Sequence, residues 1–187
     1  MRLGLSTLAF LLAGSFHAAS AQGLEGPDTK TTERKSATLT VSTIDASGVG
    51  TTLGVIQLED TVEGLRITPS LSGLPPGKHG FHIHENPDCG PGLDKGKQAA
   101  GMAAGSHLDP SHTEKHLGPE SPHGHLGDLP ALTVADDGTA QTVVIAPRLT
   151  VAHVQGHSVM IHAGGDNYSD DPPMGGGGAR IACGVFE

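Results

Sequence analysis

From residue 37 onwards apolar and polar positions alternate. In Thr38-Leu39-Thr40-Val41-Ser42, Leu39 and Val41 share one face, the period of a strand with one buried side. A turn is expected at 48–50, where Gly48-Val49-Gly50 interrupts the run, with further strands over 51–58 and 63–69. The Pro/Gly-rich stretch 71–77 leads into a fourth strand over 78–85. Between 86 and 130 the rhythm stops. Strands resume at 131–134, at 139–145 after Asp136-Asp137-Gly138, and at 158–162. A second loop, 163–179, is rich in Gly and Asp, and a last strand covers 180–186. Short strands punctuated by Gly and Pro predict an all-β fold, an antiparallel sandwich or barrel with two long loops. A stretch as long as 86–130 without periodicity is unusual in a compact domain unless it is functional.

The chain of 187 residues suits one domain, with no internal repeat or second domain. Its first 21 residues read differently. Arg2 supplies a positive start, residues 3–13 an apolar stretch, and Ala19-Ser20-Ala21 a small-residue cleavage site. This predicts a signal peptide over 1–21, a loosely ordered lead over 22–34 and the domain over 35–187. The apolar run is shorter than the roughly 18 residues a membrane span needs, and no cysteine stands near the cleavage site. An exported product without a membrane anchor is expected, in the periplasm or, alternatively, secreted.

Export changes how the two cysteines read. Outside the cytosol Cys89 and Cys183 are most simply a structural disulfide, and no C-x-x-C supports a redox centre. The formal charge is −9, and loss of Arg2 takes the mature chain to −10. With no basic stripe and 3 % aromatics, nucleic acid is not an expected partner. An anionic substrate would need a local positive field. Histidine is the anomaly: of twelve, eight fall between His79 and His125.

His82 and His84 stand at i and i+2 in a strand-like run, so they share a face with Cα atoms roughly 6.5–7 Å apart, a separation that suits chelation of one ion. His162 ends another strand. His107, His116 and His125 follow at intervals of nine, with Asp128 three residues on. Three imidazoles and a carboxylate suit tetrahedral zinc, whereas a nearly all-imidazole set suits copper as well. These seven residues exceed what one tetrahedral ion needs, and two metals sharing a ligand would account for them.

The chain resembles the copper-zinc superoxide dismutases of the bacterial exported type over roughly 37–186. The motifs that carry this are Gly80-Phe81-His82-Ile83-His84-Glu85, Gly105-Ser106-His107-Leu108-Asp109-Pro110 and Gly124-His125-Leu126-Gly127-Asp128-Leu129-Pro130. They continue with Ile161-His162-Ala163-Gly164-Gly165-Asp166-Asn167 and Gly177-Gly178-Ala179-Arg180-Ile181-Ala182-Cys183-Gly184-Val185. The resemblance implies an antiparallel Greek-key β-sandwich or barrel and an enzyme converting superoxide to oxygen and hydrogen peroxide. It implies one copper and one zinc per chain. Copper would be held by His82, His84, His107 and His162, and zinc by His107, His116, His125 and Asp128, with His107 a shared imidazolate. Asp166 would join His82 to His116 from outside the metals, and Arg180 would dock superoxide beside copper. Lys95, Lys97 and Lys115 are candidates for steering the anion, against a plain reading as solvated surface charges. Monomer and homodimer both stay open.

Other residues have blander readings. His79 has the wrong strand parity to join His82 and His84 and reads as a hydrogen-bonded structural histidine. His153 and His157 read as surface residues, while His112 and His123 could compete for zinc or hold an extra ion or haem. The run Gly175-Gly176-Gly177-Gly178 is not followed by Lys-Ser/Thr or a helix pattern, so a tight loop near the copper site is the better account. Two rival functions fit the sequence less well. Metal buffering needs neither Arg180 nor Asp166, and zinc hydrolysis lacks an H-E-x-x-H motif and an open zinc position.

Overall fold

The computed structural model describes residues 35–186; the expected signal peptide and lead lie outside the described residues. Among the described residues eleven strands, one short α-helix and two 3-10 turns (Met102–Ala104 and Pro173–Gly176) occur. In chain order they are β1 (Ser36–Asp45), β2 (Gly48–Thr61), β3 (Gly64–Leu71), β4 (Gly77–His79), β5 (Phe81–His84), β6 (Gly92–Asp94) and β7 (Lys97–Ala99). β8 (Leu132–Val134), β9 (Val144–Ala146), α1 (Val151–Val154), β10 (Ser158–His162) and β11 (Arg180–Val185) complete the set. Seven strands form one antiparallel sheet in the order β5-β10-β11-β1-β2-β3-β9, while β4 pairs with β8 and β6 with β7. β1, β2 and β3 follow as hairpins, and β11 returns from far along the chain to lie beside β1. That order, β11-β1-β2-β3, is a Greek key. The fold is an antiparallel β-sandwich or barrel with a curled sheet, as the alternation predicts.

The period of two decides which side chains are buried. On β3, Leu65, Ile67, Pro69 and Leu71 point inward while Arg66 and Ser70 face solvent. Each fully buried Leu or Ile contributes on the order of 1.5–3 kcal/mol. β5 and β10 are buried on both faces, for two different reasons. Phe81, Ile83, Val159 and Ile161 belong to the main apolar core. His82, His84 and His162 fall on the other parity, where the long loops cover them.

Three local expectations change. The turn expected at 48–50 lies inside β2; the chain turns at Ala46-Ser47, where the Asp45 carboxylate accepts the backbone N–H groups of Ser47 and Gly48. The strand expected over 78–85 breaks at Gly80, whose N–H and C=O bond instead to Gly164 O at 2.7 Å and His162 N at 2.9 Å. The strand expected over 139–145 shrinks to β9, because the Asp137 carboxylate holds Thr139 in a turn and Ala140 makes an isolated bridge with Leu71. The loop 86–130 contains the small β6–β7 hairpin, which carries Lys95 and Lys97 exposed to solvent.

Cys89 and Cys183 form the disulfide, with sulfurs 2.01 Å apart and a sequence separation of 94. It packs with Ile44, Ala104 and Met160 in a second apolar cluster, tying the start of the first loop to β11. The metal-free Cys89→Ser/Cys183→Ser variant is expected to lose about 2–5 kcal/mol of unfolding free energy. Urea denaturation reads this loss, and an unchanged midpoint would remove the bridge from the account of stability.

Candidate metal centre

β5 is the base of the site. Its open edge is paired by irregular backbone from two parts of the first loop: Leu108 N donates to Ile83 O (2.8 Å), Glu85 N to Ser106 O (3.0 Å), Ile83 N to Gly127 O (2.8 Å) and Leu129 N to Phe81 O (3.3 Å). Bridges therefore set His84 opposite His107 and His82 opposite Asp128. Gly127 is required by this approach, since a Cβ there would strike the Ile83 carbonyl oxygen. A stretch without periodicity thus becomes ordered by satisfying a strand edge.

Two buried groups result. In His82, His84, His107 and His162, one ring nitrogen from each lies within 4.8 Å of all the others; the same holds for one donor atom from each of His82, His107, His116 and Asp128. His82 and His107 belong to both groups, their rings stacked with centroids 3.9 Å apart. His125 is outside this tight second group, yet its Nδ1 lies 3.4 Å from Asp128 Oδ1. The same oxygen is 3.0 Å from His116 Nδ1 and 3.2 Å from His107 Nδ1, so three imidazoles converge on one carboxylate oxygen.

Three of the rings each have one nitrogen engaged away from the centre. His82 Nε2 donates to Asp166 Oδ2 at 2.7 Å, His84 Nδ1 to Gly105 O at 3.0 Å, and His162 Nδ1 to Gly178 O at 3.3 Å. The opposite nitrogens, His82 Nδ1, His84 Nε2 and His162 Nε2, are buried without a hydrogen-bond partner, as is His125 Nδ1. An unpaired buried polar group costs about 1–3 kcal/mol. Four buried nitrogens of this kind fit metal coordination, and for His82, His84 and His162 the outer hydrogen bonds fix the tautomers.

The protonation states agree. Burial, then the proximity of His107, holds His82 well below the ordinary imidazole range; burial likewise depresses His84 and His107 and brings His162 to about 4. His116 is the exception. Burial alone would depress it, but hydrogen bonds to Asp128 and Asp166 raise it to about 9. Both carboxyls are held below their usual range, since the histidine hydrogen bonds outweigh the upward push of burial. Asp166 spans the centre, its Oδ1 lying 2.7 Å from His116 Nε2. Gly175, at φ +68, passes directly over it, and a Cβ there would collide with Asp166 Oδ1 and come within 2.7 Å of His116 Nε2. The glycine run is a close roof: Gly177, where a Cβ would lie 3.2 Å from the His162 ring, meets the expected approach to the copper side, while Gly175 covers Asp166 and His116 instead.

Arg180 lies opposite His162 across the β10–β11 pair. Its guanidinium is half-buried and donates to Gly101 O and, at 2.8 Å, to Gly105 O. Its charge contributes to keeping His84 and His162 neutral. His79 is buried between the carbonyls of His162 and Pro75, each at 2.7 Å, as a structural histidine. His112, His123 and His153 are exposed and outside both groups, while His157 is half-exposed and bonds Glu85 O. Lys115 is exposed. Arg148 has no sequence signal, yet its fork grips Gly124 O and His125 O, both at 3.0 Å, and fixes the limb carrying His125.

An antiparallel β-sandwich with two imidazole-lined groups that share side chains defines a protein built for a two-metal centre. Comparison with known proteins names the class. The family copper/zinc superoxide dismutase (SODC) matches residues 52–186. Superoxide dismutase [Cu-Zn] 1 of Salmonella typhimurium is 54 % identical over 154 residues, covering 80 % of this chain and 87 % of that protein. Among solved structures, the Cu/Zn superoxide dismutase from Brucella abortus superposes with a TM-score of 0.79 at 46 % identity, covering 82 % of this chain and 100 % of that one. The monomeric copper, zinc superoxide dismutase from Salmonella enterica does so with a TM-score of 0.74 at 50 % identity and the same coverage. The chain belongs to the copper/zinc superoxide dismutase family. It is an oxidoreductase that uses copper and zinc to convert superoxide to oxygen and hydrogen peroxide. The bacterial relatives and the intramolecular disulfide fit an exported enzyme.

The depressed histidines set the acid response of the metal-free chain. His162 binds a proton near pH 4 when folded but near 6.5 when unfolded, so the unfolded chain takes up protons first as pH falls. Stability is full above about 6.5 and is lost toward 4, with His82, His84 and His107 acting in the same direction. His116 acts oppositely, stabilising below 6.5 and fading as pH rises through about 9. Urea midpoints measured from pH 7.5 to 4 are expected to fall steadily; a flat profile would contradict the neutral cluster.

Proposed function

We propose that copper is held by His82 Nδ1, His84 Nε2, His162 Nε2 and His107, and zinc by His107, His116, His125 and Asp128, with His107 common to both. The observation carrying this reading is the set of inward-facing ring nitrogens left without hydrogen-bond partners while their opposite nitrogens are engaged. Bound copper supplies the one-electron couple and bound zinc, which has no redox chemistry, a fixed charge. The chain's residues do the rest. His107 sets Nδ1 against Asp128, which leaves Nε2 for the copper group, where it can hold a proton and pass it to reduced superoxide. Arg180 docks the anion: its guanidinium stays charged and is pinned on two carbonyls beside the copper group, in a chain whose overall charge opposes anions. Asp166 orients His82 and His116 together.

The proposal extends to the whole chain: a signal peptide over 1–21, a lead over 22–34, the enzyme domain over 35–187, and activity in the periplasm. The relative from Salmonella enterica is described as monomeric, which supports a single copy as the working unit over the homodimer that the sequence left open.

Arg180→Ala is expected to lower superoxide turnover by about tenfold or more and to flatten its salt dependence, with metal content near normal. Unchanged rate and salt response would end the docking role. His107→Ala should perturb the optical spectra of copper and of cobalt substituted for zinc alike; a change at one metal alone would sink the shared ligand.

A further inference from the structure

An acidic cavity opens beside the centre. A cavity of about 310 Å³ is lined by the carboxylates Glu85, Asp109, Glu114 and Asp170 and the imidazole of His112, and no lysine or arginine lines it. His107 and His125, both buried, line it too, so it reaches the centre from the side of Asp128. Three of its carboxylates are held in place. Glu85 Oε2 accepts Ser106 N (2.8 Å), Asp109 Oδ2 accepts Glu114 N (2.8 Å) and Asp170 Oδ1 accepts His116 N (3.0 Å). His112 and Glu114 are exposed at the surface. A sign of what enters is His125, which lines the cavity: it is 5 % exposed, and its buried Nδ1 makes no hydrogen bond while standing 3.4 Å from Asp128 Oδ1. A buried imidazole lone pair without a donor is an acceptor for a cation.

We propose that this cavity is the loading port of the Asp128 group, where His112 and Glu114 capture a divalent cation of zinc's chemistry and pass it inward to His125 and His107. The inference rests on the reading of that group as the zinc site. Imidazole and carboxylate are zinc's ligands, and four carboxylates around one opening concentrate cations.

The test uses the metal-free mature protein, stopped-flow mixing with cobalt(II), and the visible absorption of tetrahedral cobalt. For His112→Ala/Glu114→Gln the uptake rate at low salt should fall about tenfold, and the acceleration of uptake at low salt should weaken, three of the four carboxylates remaining. The final cobalt spectrum should match that of the unaltered protein, as should superoxide turnover after full loading. An unchanged rate and salt response would overturn the port. An altered final spectrum would overturn it as well, by making these residues ligands. If cobalt gives no tetrahedral spectrum even in the unaltered protein, the zinc assignment itself fails.

Discussion

One carboxylate holds the architecture of the site together. Asp166 accepts a hydrogen bond from His82 on β5 and another from His116 in the first loop, each at 2.7 Å, while standing in the second loop. Three distant segments therefore meet at one pair of oxygens. Each bond spends the outer nitrogen of its ring and so turns the inner one toward the centre. A charged group in so buried a place is tolerated only when fully partnered, and removal of one partner of such a pair typically costs 3–5 kcal/mol. The same constraint explains the glycine roof, because nothing with a Cβ can pass over an anion held this tightly.

Burial and charge divide the imidazoles into two chemical populations. Those around β5 and β10 are kept neutral by desolvation and by one another, ready to donate lone pairs without first losing a proton. His116, between two carboxylates, holds its proton far more tightly. The chain thus presents a neutral, all-imidazole group beside one that carries a carboxylate, within a few ångströms.

Much of this was legible in the sequence, and the reasons are specific. The period of two on Phe81-His82-Ile83-His84 separates core from site by itself. Rhythm alone also places β10 without error, because both of its neighbours are strands. The turn at Ala46-Ser47 was hidden because an Asp side chain makes it, while the more conspicuous glycines of Gly48-Val49-Gly50 belong to a strand. Gly80 breaks a strand for a similarly non-local reason, since its partners come from β10 and the second loop. The edge pairing of β5 left no pattern, because irregular backbone supplies it. Arg148 was invisible for the plainest reason: it grips carbonyls, and every residue has one. His107, His116, His125 and Asp128 stood out through residue type and spacing, but their division between two metals, and the role of Arg180, came only from family likeness, since loop residues carry no period that would gather them.

The carbonyl of Gly105 joins two tasks that are usually kept apart. It accepts the His84 Nδ1–H at 3.0 Å and the Arg180 guanidinium at 2.8 Å, so one backbone oxygen is the common datum for a coordinating ring and for a mobile-looking surface cation. A lysine could deliver the same charge but not the fork that also reaches Gly101, and its flexible stem would let the charge wander. The spacing of ring and cation is thereby referred to a single peptide group.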